Sequence, residues 1–172
     1  MGQQRVGGVG VHVNAHCAMN IVSHESLTTR IGRLRSRRCG STPALTIFVD
    51  YAPTSSHEEE ELEAFCIDLE RLCRKDHTFF KVIVGDFYAR SASEERLKSS
   101  TPGLTEWNGK PYHSRWTWES PGGQFHNEID HIIFNRRFCL TDVVDVVPKF
   151  YTRLDHRLLR ARFCFLVCGE RL

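Results

Sequence analysis

Apolar and polar positions alternate in short runs along most of the chain, and the period switches to a helical one only once. GGVGVHVN, residues 7 to 14, alternates Val9, Val11 and Val13 with small or polar residues, a period of two that predicts a strand. LTTRIGRLRSRRCG, residues 27 to 40, alternates as well, placing Arg33, Arg35 and Arg37 on one side of an extended segment that turns at Cys39-Gly40-Ser41. ALTIFVDYAP, residues 44 to 53, is a β-branched and aromatic strand that stops at Pro53. From Ser55 the pattern is helical. Ser56 and Glu59 fit a capping box, acidic residues crowd the first turn, and Leu62, Phe65, Cys66, Leu69, Leu72 and Cys73 form one stripe. FFKVIVGDF, residues 79 to 87, then returns to a short apolar strand of the fully buried kind.

Residues 90 to 113 are polar and irregular, with breakers at Ser99 to Gly103 and at Asn108-Gly109, so loop or weak helix is expected there. SRWTWESPGG (114 to 123) predicts a strand and turn, NEIDHIIFN (127 to 135) a strand, VVDVV (143 to 147) a strand ending at Pro148, and ARFCFLV (161 to 167) a terminal strand. Many strands with a helix between two of them predict an α/β sandwich. One domain is expected over residues 7 to 167, with tails at 1 to 6 and 168 to 172.

Composition narrows this picture only slightly. The 172 residues, 41% hydrophobic and 26% charged, suit one globular domain. A net charge of +2 creates no global field that names a partner, so local clusters must do so. Seven cysteines, an odd number without a C-x-x-C pair, read as reduced thiols of a cytosolic or nuclear protein with no disulfide-linked partner. No run reaches the length of a membrane span and no signal-peptide layout opens the chain, so a soluble intracellular protein without a membrane partner is expected.

The candidate chemistry sits at strand ends and in loops. Asp86 closes an apolar strand, Asp130 lies within EIDHIIFN, and Asp155-His156 follow FYTRL. In open α/β sheets, ligands bind beyond the strand ends. Asp86 reads equally as a turn or cap carboxylate, and Asp155-His156 equally as a turn with a surface histidine. Asp130 and His131 point to opposite faces of their strand, so one of them points inward and needs a partner. The arginines at 30, 33, 35, 37 and 38 suit either a nucleic-acid backbone or a solvated strand face. Trp116 and Trp118, two residues apart on one side, suit either packing or base stacking.

The order of these pieces carries a resemblance. YAPTSS, a helix, VIVGDF, TWESPGG, EIDHIIFN and DHRLL together resemble the endonuclease/exonuclease/phosphatase family of Mg-dependent phosphodiesterases, which includes abasic-site endonucleases. GGVGVHVN, RWTWESPGGQFHNEIDHIIFNRRFCLTDV and VPKFYTRLDHRLLR resemble more closely the endonuclease domain of non-long-terminal-repeat retrotransposons, from Gly7 to Phe165. The resemblance implies a two-sheet β-sandwich flanked by helices in four layers, DNA as the partner, and Mg²⁺ or Mn²⁺ as the cofactor. It implies that Asp86 orients or deprotonates water, Tyr51 contacts phosphate and Asp130 orients a histidine-linked network. Asp155 is then a metal ligand and His156 a phosphate stabiliser. Such roles match the needs of phosphodiester hydrolysis: an activated water and neutralised oxygens.

The chain departs from that pattern in four places. Tyr88 stands at the substrate-binding position where G-D-F-N carries an asparagine, exchanging a compact amide donor for a phenol. Leu154 stands where a serine precedes Asp-His. The family's metal-binding Glu lies upstream of GGVGVHVN, and the stretch from Gly103 to Ser114 is short. The resemblance therefore predicts an incomplete, N-terminally truncated domain with impaired or lost activity, or else a non-catalytic remnant that binds nucleic acid or protein.

Overall fold

The computed structural model describes residues 11–40, 42–53, 59–87, 105–106, 116–134, 140–147 and 155–163. A six-stranded sheet has the order β1-β2-β3-β4-β8-β5, built from Ile21–Ser26, Ile31–Ser36, Leu45–Tyr51, Phe80–Asp86, Asp130–Phe134 and Thr105–Glu106 respectively. Only β3 and β4 run parallel; the other neighbours are antiparallel. Parallel neighbours need a crossover, and α2, Glu59–Lys75, supplies it.

The helical stripe does what its spacing predicts. Phe65, Cys66, Leu69 and Cys73 are buried against Ile31, Phe48, Ile83, Phe87 and Ile133 of the sheet, with Leu62 and Leu72 partly buried beside them. Leu69 is fully enclosed. Leu69→Ala is expected to lower stability by about 2–5 kcal/mol, because the rigid sheet cannot collapse into the space; a shift of the urea midpoint at unchanged slope measures it. Burial pushes the Cys73 thiol up to about 12, so this cysteine behaves as an inert hydrophobe.

On the other face, Leu45, Ile47, Val82, Val84, Ile132 and Phe134 meet Leu159 and Ala161 of β10. β10 (Leu158–Phe163) pairs antiparallel with β9 (Leu140–Val147). Helix, six-stranded sheet and two-stranded sheet thus form the layers of the expected α/β sandwich. β6 (Trp118–Glu119) and β7 (His126–Asn127) form a separate hairpin with Gly123 at positive φ in its turn. Among the described residues, no helix is long and apolar enough to cross a membrane.

Several expectations need correction. The strand expected over 7 to 14 is absent at 11–14, while 7–10 lie outside the described residues. Asn14 instead accepts the Cys17 N–H at 2.8 Å and caps α1, Ala15–Ala18, so a local side-chain bond prevails over the valine alternation. β1 had no apolar signature because its less exposed positions are Ile21, Ser23 and Glu25. The strand expected from 127 begins at Asp130, and β10 begins at Leu158, three residues before the expected start. Thr105–Glu106 form β5 on the edge of β8 rather than loop or helix. The rest of 90–113, Ser56 of the capping box, and 164–167 lie outside the described residues.

The arginine alternation holds in β2, and its partners are internal. Arg33 meets Glu25 at 2.6 Å and Asp76 at 3.5 Å, Arg35 meets Asp76 at 3.8 Å, and Arg30 meets Glu61 at 2.8 Å. Burial pushes the Asp76 carboxyl up. Hydrogen bonds from Thr78 and Thr46 and the charge of Arg35 outweigh it, leaving the group below its ordinary value. These three arginines form an ion-pair network that ties β2 to the two ends of α2, while Arg37 and Arg38 donate to the Met19 and Gly40 carbonyls.

Candidate active site

Register gathers the site. Tyr51 at the end of β3 pairs with Asp86 at the end of β4, and Asp86 pairs with Asp130 at the start of β8. A period of two puts these residues on the same face as Val82, Val84 and Ile132, toward the β9–β10 layer. The opposite parity turns His131 into the helix-side core, edge-on to Phe87.

A second set of bonds brings the 155–157 segment to this row. Thr117 is buried, and its Oγ1 accepts the N–H groups of Ile129 and Asp130 at 3.0 Å each, fixing the start of β8. Arg157 N–H donates to the Thr117 carbonyl at 2.6 Å and Glu119 N–H to the Asp155 carbonyl at 3.0 Å, so 155–157 lies antiparallel to 117–119. His156 Nδ1 then stands 3.0 Å from Asp130 Oδ2. The Trp118 indole N–H donates to Asp155 Oδ2 at 2.9 Å. The His156 and Asp130 side chains keep 33% and 26% of their surface, enough for a ligand to reach them.

Charge follows geometry. Burial pushes the Asp86 carboxyl from 3.8 up to about 6, the negative charge of Asp130 adds to the rise, and the two histidines oppose it. The hydrogen bond to Asp130 raises His156 above its ordinary value against the pull of burial. The site therefore pairs a carboxylate whose hold on a proton is raised with an imidazole whose protonated form is favoured and oriented by a second carboxylate.

The structure brings together five of the six residues singled out in the sequence: Tyr51, Asp86, Asp130, Asp155 and His156. Tyr88 lies outside the described residues. Tyr51 is exposed, with the Arg30 guanidinium 6.0 Å from its ring centre. The metal assignment fits less well. Asp130 Oδ2 is engaged by His156 and Asp155 Oδ2 by Trp118, and among the described residues no three His, Cys, Asp or Glu side chains gather to hold a metal ion.

Sequence reasoning missed three participants. Thr117 and Trp118 lie in the same WTW stretch whose two-residue spacing suggested packing or base stacking rather than hydrogen bonds to Asp130 and Asp155. The third, Asp50, lies under the site on the helix side of β3. It is 4% exposed, and neither carboxylate oxygen has a hydrogen-bond partner. Its Oδ1 occupies the space that a Cβ at Gly85 would fill, so glycine is required there. Burial, and then the charge of Asp86, push this acid well above its ordinary value.

No family model matches the chain. It is 29% identical to craniofacial development protein 2 of Tragulus javanicus over 170 residues, covering 80% of this chain and 28% of that protein. The chain thus spans little more than a quarter of that relative. Among solved structures it is similar to D. rerio TDP2 complexed with single strand DNA product, at TM-score 0.57 and 13% identity, covering 80% of this chain and 63% of that one. It is also similar to an endonuclease/exonuclease/phosphatase family protein from Leptotrichia buccalis, at TM-score 0.56 and 15% identity, covering 78% of this chain and 53% of that one. The chain has the endonuclease/exonuclease/phosphatase fold. The human nocturnin catalytic domain, with bound sulfate, shares this fold at TM-score 0.52 and 16% identity, covering 84% of this chain and 60% of that one. Within the endonuclease/exonuclease/phosphatase fold of this chain, the site row lies at the carboxyl ends of the parallel pair β3 and β4, where an open α/β sheet places its ligands.

Proposed function

We propose that this domain is a nucleic-acid phosphodiesterase that acts on DNA. The observation that carries the reading is the row formed by Asp86, Asp130 and His156, in which adjacent carboxylates have different tasks. Asp130 orients His156 and sustains its positive charge, and His156 offers that charge to a phosphate oxygen. Asp86, ionised above pH about 6, accepts a proton from the attacking water. Trp118 holds Asp155 at the rim and Tyr51 closes the other end of the row, where a phenol can donate to phosphate.

Two further points support DNA as the substrate. One neighbour of the same fold is complexed with single strand DNA product, and the sequence resembles retrotransposon endonuclease domains. Mg²⁺ or Mn²⁺ dependence belongs to the same proposal. Since the described carboxylates do not gather a metal set, every step above is assigned to the chain's own side chains.

Nicking of supercoiled plasmid, with Mg²⁺, Mn²⁺ or a chelator, tests the reading against Asp155→Ala prepared identically. Nicking above background is expected, reduced roughly tenfold to a hundredfold in the variant, the size usual for removing an outer orienting partner. Equal background from two folded samples overturns hydrolysis. A second reading would then take its place: a non-catalytic nucleic-acid binder, favoured by the engagement of Asp130 and Asp155 with His156 and Trp118.

A further inference from the structure

The site row holds Asp86, Asp130 and Asp155 against one imidazole, yet the proposed substrate is itself an anion. A second cation is needed nearby. Arg30, Arg33, Arg35, Arg71 and Arg74 all have carboxylate partners. Arg157, which follows His156 directly, has no carboxylate within ion-pair distance among the described residues. Its guanidinium lies over the ring of Trp116, whose centre is 4.2 Å from that of His126. Nη1 is buried and has no hydrogen-bond partner, a need that native structures rarely leave unmet.

We propose that Arg157 is a phosphate-holding residue of this site, with Trp116 as its positioning residue. The inference rests on the nucleic-acid reading given above. Arg157 follows His156 directly, and its guanidinium rests on Trp116, two residues before the Trp118 that opposes His156. A guanidinium beside the segment that carries His156 supplies the second positive charge that a phosphate of a nucleic-acid strand needs there. Stacking on Trp116 fixes the guanidinium plane, and the 2.6 Å bond from Arg157 N–H to Thr117 ties this placement to the element that sets Asp130.

Fluorescence anisotropy with labelled single-stranded and duplex oligonucleotides, in chelator so that nothing is cut and over a range of salt, tests this separately from catalysis. Arg157→Ala is expected to weaken binding roughly tenfold and to reduce the salt slope by about 0.7 on single strands or 0.9 on duplex, the loss of one phosphate contact. Arg157→Lys keeps the charge and the slope but binds less tightly, having lost the stacked plane. An Arg157→Ala protein with a wild-type circular dichroism spectrum, slope and affinity overturns the assignment. If that variant does not fold, the lysine variant decides, and wild-type affinity there overturns the stacked role. Wild-type protein that binds neither oligonucleotide overturns the nucleic-acid reading itself.

Discussion

His156→Ala is expected to lower phosphodiester cleavage by about 10²- to 10⁴-fold, the range spanned by a positioned acid or base. The imidazole is held 3.0 Å from Asp130 Oδ2, and removing it leaves three carboxylates with no adjacent imidazolium to meet a phosphate. The pH profile separates this role from a general loss of structure. In wild type, activity rises as Asp86 ionises near pH 6 and falls again above the raised value of His156, giving a bell. His156 is also one of the groups that hold Asp86 down, so its loss moves the acidic limb of any residual activity to higher pH. Asp86→Asn removes that limb altogether. A His156→Ala profile of wild-type height and shape would overturn the assignment of the row.

Asp50→Asn is expected to stabilise the protein at neutral pH by about 1.4 kcal/mol for each pH unit by which burial raises the acid, because the carboxamide, though buried alike, has no proton to lose. At the roughly 2–4 °C per kcal/mol usual for a chain of this size, the melting temperature rises measurably. Burial lifts the folded-state acid well above 3.8, whereas the unfolded chain releases its proton near that value. Below the unfolded value the acid is protonated in both states and costs nothing. Above it the unfolded state binds fewer protons, so wild-type stability falls by up to about 1.4 kcal/mol per pH unit until the folded value is reached. Asp86 adds a slope of the same sign that ends near pH 6, His156 adds another above its ordinary value, and in Asp50→Asn these shares remain. Parallel stability curves for wild type and Asp50→Asn between pH 4 and 8 would show that Asp50 carries no such linkage. Gly85→Ala has the opposite sign, since its Cβ overlaps the Asp50 carboxyl.

How far the sequence discloses this site depends on how each residue is held. Asp86 was legible because an apolar run delivers it to a strand end, Tyr51 only through the family resemblance, and α2 because its stripe has one period over seventeen residues. Asp130 and His131 were legible as a pair divided between faces, although period alone does not say which one faces Asp86 and His156. The bond between Asp130 and His156 spans 26 residues and depends on a sheet-to-sheet contact that no local pattern encodes. Thr117 acts through a hydroxyl that receives two amides, a function indistinguishable in sequence from that of any strand threonine. Asp50 reads as a strand end beside Tyr51, and only the packed helix shows that it is sealed from water. The partners of Arg30 and Arg33 were hidden for a related reason, since Glu25, Glu61 and Asp76 come from three other places in the chain.

The sheet order places β8 beside β4 and delivers the row from residues 51, 86, 130 and 156. The β3-α2-β4 unit, by contrast, closes within a few dozen residues. Bringing distant segments together costs loop entropy that contacts repay only after closure, and such late contacts are also the readiest to open. The helix and its parallel strands can therefore be fully formed while the candidate row is still unassembled. A far-ultraviolet spectrum dominated by α2 reports on the first event and is silent on the second, so helical content is a poor surrogate for competence in this chain.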